Sequence, residues 1–223
     1  MESEIIITAD GSHTIYIPEL NECYHSKNGA MAESMHIFIE AGYRYVSKNK
    51  TSINILEVGF GTGLNALLTL FETLNDSYCV YYQGIEPYRV DKIKLDKLNY
   101  PELTGVLNAL LYFEEIHNLK TEVPKKITAD FSLLIVENKI EDVILKKSFF
   151  DLVYFDAFAP DINPELWKQQ IFEKISASMK TGGVLVTYSC KGDVKRALKE
   201  AGFVIEKLPG PPGKREFLRA VKL

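Results

Sequence analysis

The sequence predicts a doubly wound α/β fold with a mostly parallel sheet. From residue 53 onward, short apolar runs alternate with stretches of helical period, as is typical of repeated βα units. The first of these runs leads into a glycine-rich turn at 59–63. The segments 203–208 and 215–223 are joined by a Pro/Gly turn, which predicts an antiparallel hairpin at the sheet edge.

The individual elements follow from the hydrophobic pattern. Before the C-terminal hairpin, the apolar runs that predict strands are 53–58, 78–85, 132–136, 151–155 and 184–189. One helix is expected around 107–116, and others are expected to start at Leu64, Tyr88, Ile140, Pro164 and Gly192. Upstream, the alternation of apolar and polar residues over 5–8 and 14–17 predicts a hairpin. The helical spacing of apolar residues over 31–46 predicts a helix. We therefore expect an N-terminal hairpin and helix appendage over 1–50 and a main domain over 51–223.

The composition limits the possible classes of function. With 223 residues, 46% of them hydrophobic, the chain can bury a full core in one domain. The net charge of −4 gives no overall sign of a protein that wraps DNA or lies on an anionic membrane. The distribution is uneven, because the segment from Lys191 to the C-terminus holds nine basic and four acidic residues.

Cysteine usage and the N-terminus predict a cytoplasmic protein without a metal site. The three cysteines lie far apart in the sequence, which argues against a disulfide framework. They also make no metal-ligand spacing with the four histidines. The N-terminus is acidic where a signal peptide is basic, and no apolar run reaches the length of a membrane span.

The glycine-rich turn predicts a site for a nucleotide-bearing cofactor. Gly59, Gly61 and Gly63 let the backbone turn tightly and approach a ligand where a Cβ would collide. Gly61, Gly63 and Ala66 also satisfy the dinucleotide pattern, so a NAD site competes with an S-adenosylmethionine site. Glu57 favours the latter, because a carboxylate there repels a pyrophosphate but attracts the charged amino acid end of S-adenosylmethionine.

Two further carboxylates follow predicted strands. Glu86 comes after the run 78–85, near the spacing at which a carboxylate meets the ribose hydroxyls of a nucleoside. Asp156 follows the run 151–155, at the edge where open α/β sheets place their chemistry. Asp156 is suited to accept a hydrogen bond from an amine and orient its lone pair, and Phe158 to stack on a planar base. Trp167 is interpreted as a core residue.

A combination of motifs resembles a known family. GFGTGLN at 59–65, DAFAPDINPELW at 156–167 and GPPGKREFL at 210–218 resemble the methyltransferase part of the bifunctional MnmC family, which modifies the wobble uridine of tRNA. YHSKNG at 24–29 is similar to a further segment of that family. The resemblance implies a seven-stranded sheet of the S-adenosylmethionine methyltransferase type, with an antiparallel last strand.

The same resemblance implies an activity and roles for individual residues. The activity is N-methylation of the aminomethyl group at carbon 5 of a wobble uridine, often 2-thiolated, giving the methylaminomethyl form. Asp156 would face the acceptor amine, Phe158 and Pro160 would wall the pocket, and Lys214 and Arg215 would lie near the substrate. The partner would be the anticodon region of tRNA, whose phosphates the basic C-terminal segment would contact. The residues expected to bind S-adenosylmethionine are Tyr24, Ser26, Glu33, Glu57, Gly59, Gly61, Gly63, Asn65, Glu86 and Asn138.

The chain departs from the family in two respects. A Gly-Asp pair that contacts the adenine side in the family is replaced by Glu137 and Asn138, and of these Asn138 is able to pair with the adenine amino group. The sequence also ends where the bifunctional relatives continue into a flavin-dependent oxidase. We therefore expect the aminomethyl precursor to arrive ready-made or from a separate enzyme.

Other functions stay open on the sequence alone. The acidic net charge is compatible with a small-molecule amine N-methyltransferase. The spacing from Gly61 to Ala66 is compatible with a NAD-dependent oxidoreductase. A non-catalytic RNA-binding protein is less favoured, because the glycine loop, Glu57 and Asp156 would then have no evident purpose.

Overall fold

The N-terminal segment forms a small antiparallel sheet. The computed structural model describes residues 2–48, 50–75 and 78–223. Strand β1 (Glu4–Ile7) pairs with β2 (His13–Ile17) around a turn in which Gly11 has φ +83°, and β2 pairs with β3 (Glu22–Cys23). The expected hairpin is therefore present, with β3 as an additional strand.

The main sheet has eight strands within the described residues. They are β4 (Ser52–Val58), β5 (Cys79–Ile85), β6 (Lys125–Lys126), β7 (Phe131–Val136), β8 (Phe150–Phe155), β9 (Met179–Thr187), β10 (Phe203–Pro209) and β11 (Glu216–Lys222). Their order is β10-β11-β9-β8-β4-β5-β7-β6. The run from β9 to β7 is parallel, whereas β11 is antiparallel to both β9 and β10, and the two-residue β6 is antiparallel to β7. The predicted doubly wound, mostly parallel fold is confirmed, with β6 added to the seven expected strands.

Helices cover the strands largely as the sequence predicts. The α-helices that follow β4 are α3 (Leu64–Asn75), α4 (Lys92–Leu95), α5 (Tyr100–Thr104), α6 (Ala109–His117), α7 (Gln169–Ser178) and α8 (Gly192–Glu200). The helix expected from Tyr88 starts later, because the Asp91 side chain caps α4 by accepting from the Lys94 amide at 3.1 Å.

The prediction of a helix from Ile140 is wrong. The segment makes a single turn, in which the amides of Asp142 and Val143 donate to the Lys139 carbonyl. Ile140 and Val143 are buried, whereas Ile144 is 96% exposed. A single turn therefore buries the two apolar side chains, and no helix forms.

One continuous helical segment joins the N-terminal sheet to the main sheet. It consists of α1 (Ala30–Ser34), a π-helix (Met35–Tyr43) and α2 (Arg44–Ser47). Gly42 lies so close to the sheet that a Cβ would stand 3.1 Å from the Tyr154 ring, and Phe38 and Tyr43 are buried in the same hydrophobic core as Tyr154. The segment is thereby held against β8 and β9.

Candidate active site

A cavity of about 340 Å³ lies at the carboxyl ends of the central strands. This is the edge at which open α/β sheets bind ligands. Its walls come from both ends of the chain and from the loops after β4, β5, β8 and β9. The lining residues are 21–27, Glu33, 59–62, 64–65, Glu86, 156–159, Tyr188 and Lys214.

The glycine loop forms one wall of the cavity. Gly59 and Gly61 adopt φ of +89° and +49°, conformations that side chains rarely tolerate. A Cβ at Gly59 would stand 2.5 Å from the Asp156 carbonyl oxygen, so the loops after β4 and β8 approach each other only because this residue is glycine. Gly61 lies against the Tyr24 ring, at 3.2 Å from the position of a Cβ.

Replacing Gly59 with alanine is expected to lower the melting temperature by roughly 4–12 °C, because the backbone strain and the clash together cost about 2–3 kcal/mol. Thermal unfolding measures the change. Gly182→Ala is the matched control, because Gly182 also has a positive φ of +76° but a Cβ there would meet no described atom within 4 Å. Equal shifts for the two variants would contradict the close approach of the two loops.

Glu86 fixes the position of the glycine loop. Its Oε2 accepts from the Gly61 amide at 3.0 Å, and its Oε1 accepts from the Tyr88 amide at 3.0 Å. Burial raises the pKa of Glu86, although the two amide bonds act in the opposite direction. Each carboxylate oxygen keeps a further lone pair, which is available to a ribose hydroxyl in the cavity.

A buried hydrogen-bond network connects Glu57 to Asp156. Asn65 Nδ2 donates to Glu57 Oε1 at 2.8 Å and to Asp156 Oδ2 at 2.8 Å. The Tyr82 hydroxyl donates to Glu57 Oε2 at 2.7 Å. Glu57 is fully buried behind Asn65, and burial raises its pKa well above the usual range. Asn65 Oδ1 is a buried acceptor that has no hydrogen-bond partner among the described residues.

Asp156 lies in the cavity with an altered acidity. Burial and the charge of Glu33 raise the pKa of Asp156 to about 7, while the Asn65 hydrogen bond and Lys214 act in the lowering direction. Its Oδ2 is occupied by Asn65, so Oδ1 is the oxygen that is available to a ligand. A carboxyl group of this pKa is able both to accept a hydrogen bond and to take up a proton near neutrality.

Residues 24–27 and Glu33 line one side of the cavity, and we call them the lid. The Tyr24 ring packs edge-on against Phe158, with 5.1 Å between the ring centroids. The Ser26 amide donates to Glu33 Oε2 at 3.1 Å, and Lys214 forms an ion pair with the other oxygen of Glu33. Lys214 Nζ also lies 4.2 Å from the centre of the Tyr188 ring. The lid is thus connected to the loop between β10 and β11.

Ten predicted site residues line this cavity, and five, including the fully buried Glu57, do not. Gly63 is buried next to His117, and Asn138 is exposed, with its Oδ1 accepting from the Lys139 amide at 2.8 Å. Pro160 is half-buried beyond the lining part of its loop, and Arg215 is exposed. The structure therefore brings ten predicted residues together without these five.

Two of the lining residues that were not predicted as site residues, His25 and Tyr188, make hydrogen bonds that hold parts of the site together. His25 Nε2 lies 3.3 Å from Thr62 Oγ1 and its Nδ1 lies 3.2 Å from the Tyr100 hydroxyl, and burial lowers the pKa of His25 to about 4. A neutral histidine therefore connects the lid to the glycine loop. Tyr188 directly follows β9, and this position after a central strand is the signal that could have identified it.

Two kinds of feature are absent from the described residues. No helix in the described ranges is both long and apolar enough to cross a membrane. No group of three or more His, Cys, Asp and Glu side chains in those ranges is arranged to hold a metal ion.

A family profile decides the class of this enzyme. Residues 103–223, more than half of the chain, match the profile of a family described as S-adenosyl-L-methionine-dependent methyltransferase. The chain belongs to this methyltransferase family. The predicted enzyme class and the predicted cofactor, S-adenosylmethionine, are confirmed, and the dinucleotide alternative is not favoured.

Curated relatives of this methyltransferase are longer proteins. The chain is 30% identical over 228 residues to the tRNA 5-methylaminomethyl-2-thiouridine biosynthesis bifunctional protein MnmC of Cupriavidus metallidurans, covering 96% of this chain and 33% of the relative. It is 29% identical over 244 residues to the protein of the same name from Pseudoalteromonas atlantica, covering 98% and 33%. The chain thus spans about a third of the length of these relatives.

A solved structure shares the whole architecture. The crystal structure of MNMC2 from Aquifex aeolicus superposes with a TM-score of 0.79 at 27% identity, covering 99% of this chain and 70% of that one. The match includes the N-terminal segment as well as the main sheet. The resemblance seen in the sequence motifs is therefore confirmed.

The cavity fits S-adenosylmethionine on structural grounds. Gly59 and Gly61 adopt the positive φ values of a tight turn at the cavity wall, and Glu86 presents a carboxylate beside Gly61. Asn65 Oδ1 is a buried acceptor that lacks a partner among the described residues. The ammonium group of the cofactor would supply the missing donor. The acidic side chains of the lining suit a ligand with positive charges on sulfur and nitrogen.

Proposed function

We propose that this methyltransferase methylates the aminomethyl group at carbon 5 of a wobble uridine in tRNA, giving methylaminomethyluridine. The observation that carries the proposal is the position of Asp156. Its free Oδ1 faces a cavity that also contains the glycine loop and an aromatic wall of Tyr24 and Phe158. Support comes from the relatives, which are named for the biosynthesis of tRNA 5-methylaminomethyl-2-thiouridine.

In the proposed reaction, Asp156 acts on the acceptor amine. S-adenosylmethionine, when bound, supplies a methyl group on positively charged sulfur, and transfer to nitrogen is an in-line displacement. Asp156 Oδ1 accepts an N–H bond from the amine and directs its lone pair toward the methyl group. The same oxygen takes up the proton that the nitrogen loses, because the raised pKa makes the carboxylate a base near neutrality. Phe158 excludes water and packs on the uracil ring.

The remaining lining residues divide between cofactor and lid. Glu86 accepts from the ribose hydroxyls, and Asn65 Oδ1 accepts from the amino end of the cofactor, with Glu57 behind it. Tyr24, Ser26 and Glu33 cover the bound cofactor as the lid. We infer accordingly that 51–223 is the methyltransferase domain and that 1–50 is an appendage that supplies the lid.

The substrate approaches from the side of the β10–β11 loop. Lys214 lines the cavity and Arg215 is exposed next to it, and we propose that both contact phosphates of the anticodon region. The setting of this activity is the cytoplasm, where tRNA is modified.

The experiment is methyl transfer from labelled S-adenosylmethionine to tRNA from cells that lack the modification, followed by mass spectrometry of the nucleosides. Methylaminomethyluridine in the digest supports the proposal. A high rate on free aliphatic amines, with no benefit from tRNA, replaces the proposal with a small-molecule N-methyltransferase. Absence of transfer to both acceptors rejects it.

The pH dependence of transfer tests the role of Asp156. The reactive form is the carboxylate, so kcat/KM is expected to rise with pH through an apparent pKa of about 7. Glu33→Gln removes a charge that raises this pKa, so the rising limb moves to lower pH. Lys214→Met removes a charge that lowers it, so the limb moves to higher pH. Shifts in the same direction for the two variants would refute the assignment.

A further inference from the structure

The loop that carries Asp156 is held by three successive hydrogen bonds. The Asp156 amide donates to the Val58 carbonyl at 2.9 Å, which ends the pairing of β8 with β4. The Tyr188 hydroxyl donates to the Ala157 carbonyl at 2.8 Å. Trp167 Nε1 donates to the Phe158 carbonyl at 2.9 Å. The main chain of residues 156–158 is therefore hydrogen-bonded to three different parts of the structure, at Val58, Tyr188 and Trp167.

The two side-chain donors also support each other. The Trp167 and Tyr188 rings pack edge-to-face, with 5.9 Å between their centroids, and Trp167 packs in the same way on Phe155 at 4.8 Å. Trp167 is only 5% exposed, and Ala157 only 4%. The main chain of Asp156 and Ala157 also lies close to Gly59, where a Cβ would stand 2.5 Å from the Asp156 carbonyl oxygen.

We propose that Tyr188 and Trp167 are positioning residues that form a loop clamp, holding the carbonyls of Ala157 and Phe158 and thereby setting the direction in which Asp156 presents Oδ1. The inference rests on the proposed function, in which that oxygen acts on the acceptor amine. Trp167, which the sequence analysis assigned to the core, gains a second role. Its buried indole N–H needs a hydrogen-bond partner, and that partner is the Phe158 carbonyl.

The clamp contributes through the alignment of Asp156 with the acceptor amine. In-line transfer requires the acceptor nitrogen, the methyl carbon and the sulfur to be collinear, so a small displacement of the group that orients the amine lowers the rate strongly. Such a loss appears in kcat and leaves the affinity for the cofactor unchanged, because the cofactor's own ligands are on the glycine loop and Glu86.

Tyr188→Phe is the test variant. It removes the hydroxyl bond to Ala157 and keeps the ring, so the contacts with Trp167 and Lys214 remain. We expect kcat to fall about tenfold, while KM for the acceptor and Kd for S-adenosylhomocysteine change less than about twofold. Tyr81→Phe is the matched control, because Tyr81 is also half-buried and bonded through its hydroxyl, but to Gln83 and away from the cavity.

A second measurement does not depend on activity. Trp167 is the only tryptophan of the chain, so tryptophan fluorescence reports on the clamp alone. Quenching by acrylamide is expected to increase in Tyr188→Phe and to stay at the wild-type value in Tyr81→Phe. Retained binding of S-adenosylhomocysteine shows in each case that the variant is folded.

A double variant tests whether the two donors act together. The fall in kcat for Tyr188→Phe with Trp167→Phe is expected to be smaller than the product of the single effects, because both bonds hold the same loop. Unchanged quenching or an unchanged kcat in Tyr188→Phe overturns the inference. A wild-type protein that methylates no tRNA overturns the proposed function instead, and then the quenching decides whether the clamp exists.

Discussion

Replacing Asp156 with asparagine is expected to lower the rate of methyl transfer by roughly 10²–10⁴-fold, the usual contribution of a positioned acid or base. The asparagine still accepts from Asn65 through its amide oxygen, so the network behind it persists. What is lost is the carboxylate oxygen that orients the amine and takes its proton. Single-turnover kinetics with labelled cofactor measures the change in the chemical step.

The control for this variant is Asp161→Asn in the same loop. Asp161 is exposed and pairs with Lys191, so this variant removes the same charge without entering the cavity. Its rate is expected to stay within about twofold of the wild type, as for a surface ion pair. If Asp156→Asn lost no more than Asp161→Asn, Asp156 would not be the base.

Replacing Glu86 with alanine is expected to weaken binding of S-adenosylhomocysteine by roughly 10–150-fold, which corresponds to about 1.5–3 kcal/mol for charge-assisted hydrogen bonds. Two effects add. The ribose hydroxyls lose their acceptor, and the amides of Gly61 and Tyr88 lose the carboxylate that holds the glycine loop in place. Titration calorimetry measures the dissociation constant.

Asp91→Ala provides the comparison for Glu86→Ala. Asp91 is an exposed carboxylate that caps α4, so its removal changes the net charge equally and leaves the cavity wall intact. Its effect on affinity is expected to be less than about threefold, because solvent screens exposed charges. Similar losses in both variants would mean that charge alone attracts the ligand and that Glu86 makes no specific bond.

The sequence predicts those parts of the site that depend on local pattern. The glycines after β4, Glu86 after β5 and Asp156 after β8 all follow apolar runs, and parallel strands bring such positions to one edge. The antiparallel hairpin of β10 and β11 was predictable for the same reason, because the Pro/Gly turn is a local signal.

Long-range contacts could not be derived in this way. His25 reaches Thr62 across 37 positions and the Trp167 ring meets Tyr188 across 21, and neither pair has a spacing that a pattern would reveal. Asn138 was placed by resemblance near the adenine, but it is exposed after β7, where one turn replaces the expected helix. The hydrophobic period predicts a helix there, but a single turn is enough to bury Ile140 and Val143.

The distribution of charge in the cavity bears on the binding of the cofactor. Acidic side chains outnumber basic ones among the described lining residues. The acidic ones are Glu22, Glu33, Glu86 and Asp156, and the basic ones are Lys27 and Lys214. Such a lining attracts a sulfonium and has no comparable attraction for the uncharged thioether that remains after transfer. The charge of the lining therefore contributes more to binding of the donor than to binding of the spent cofactor.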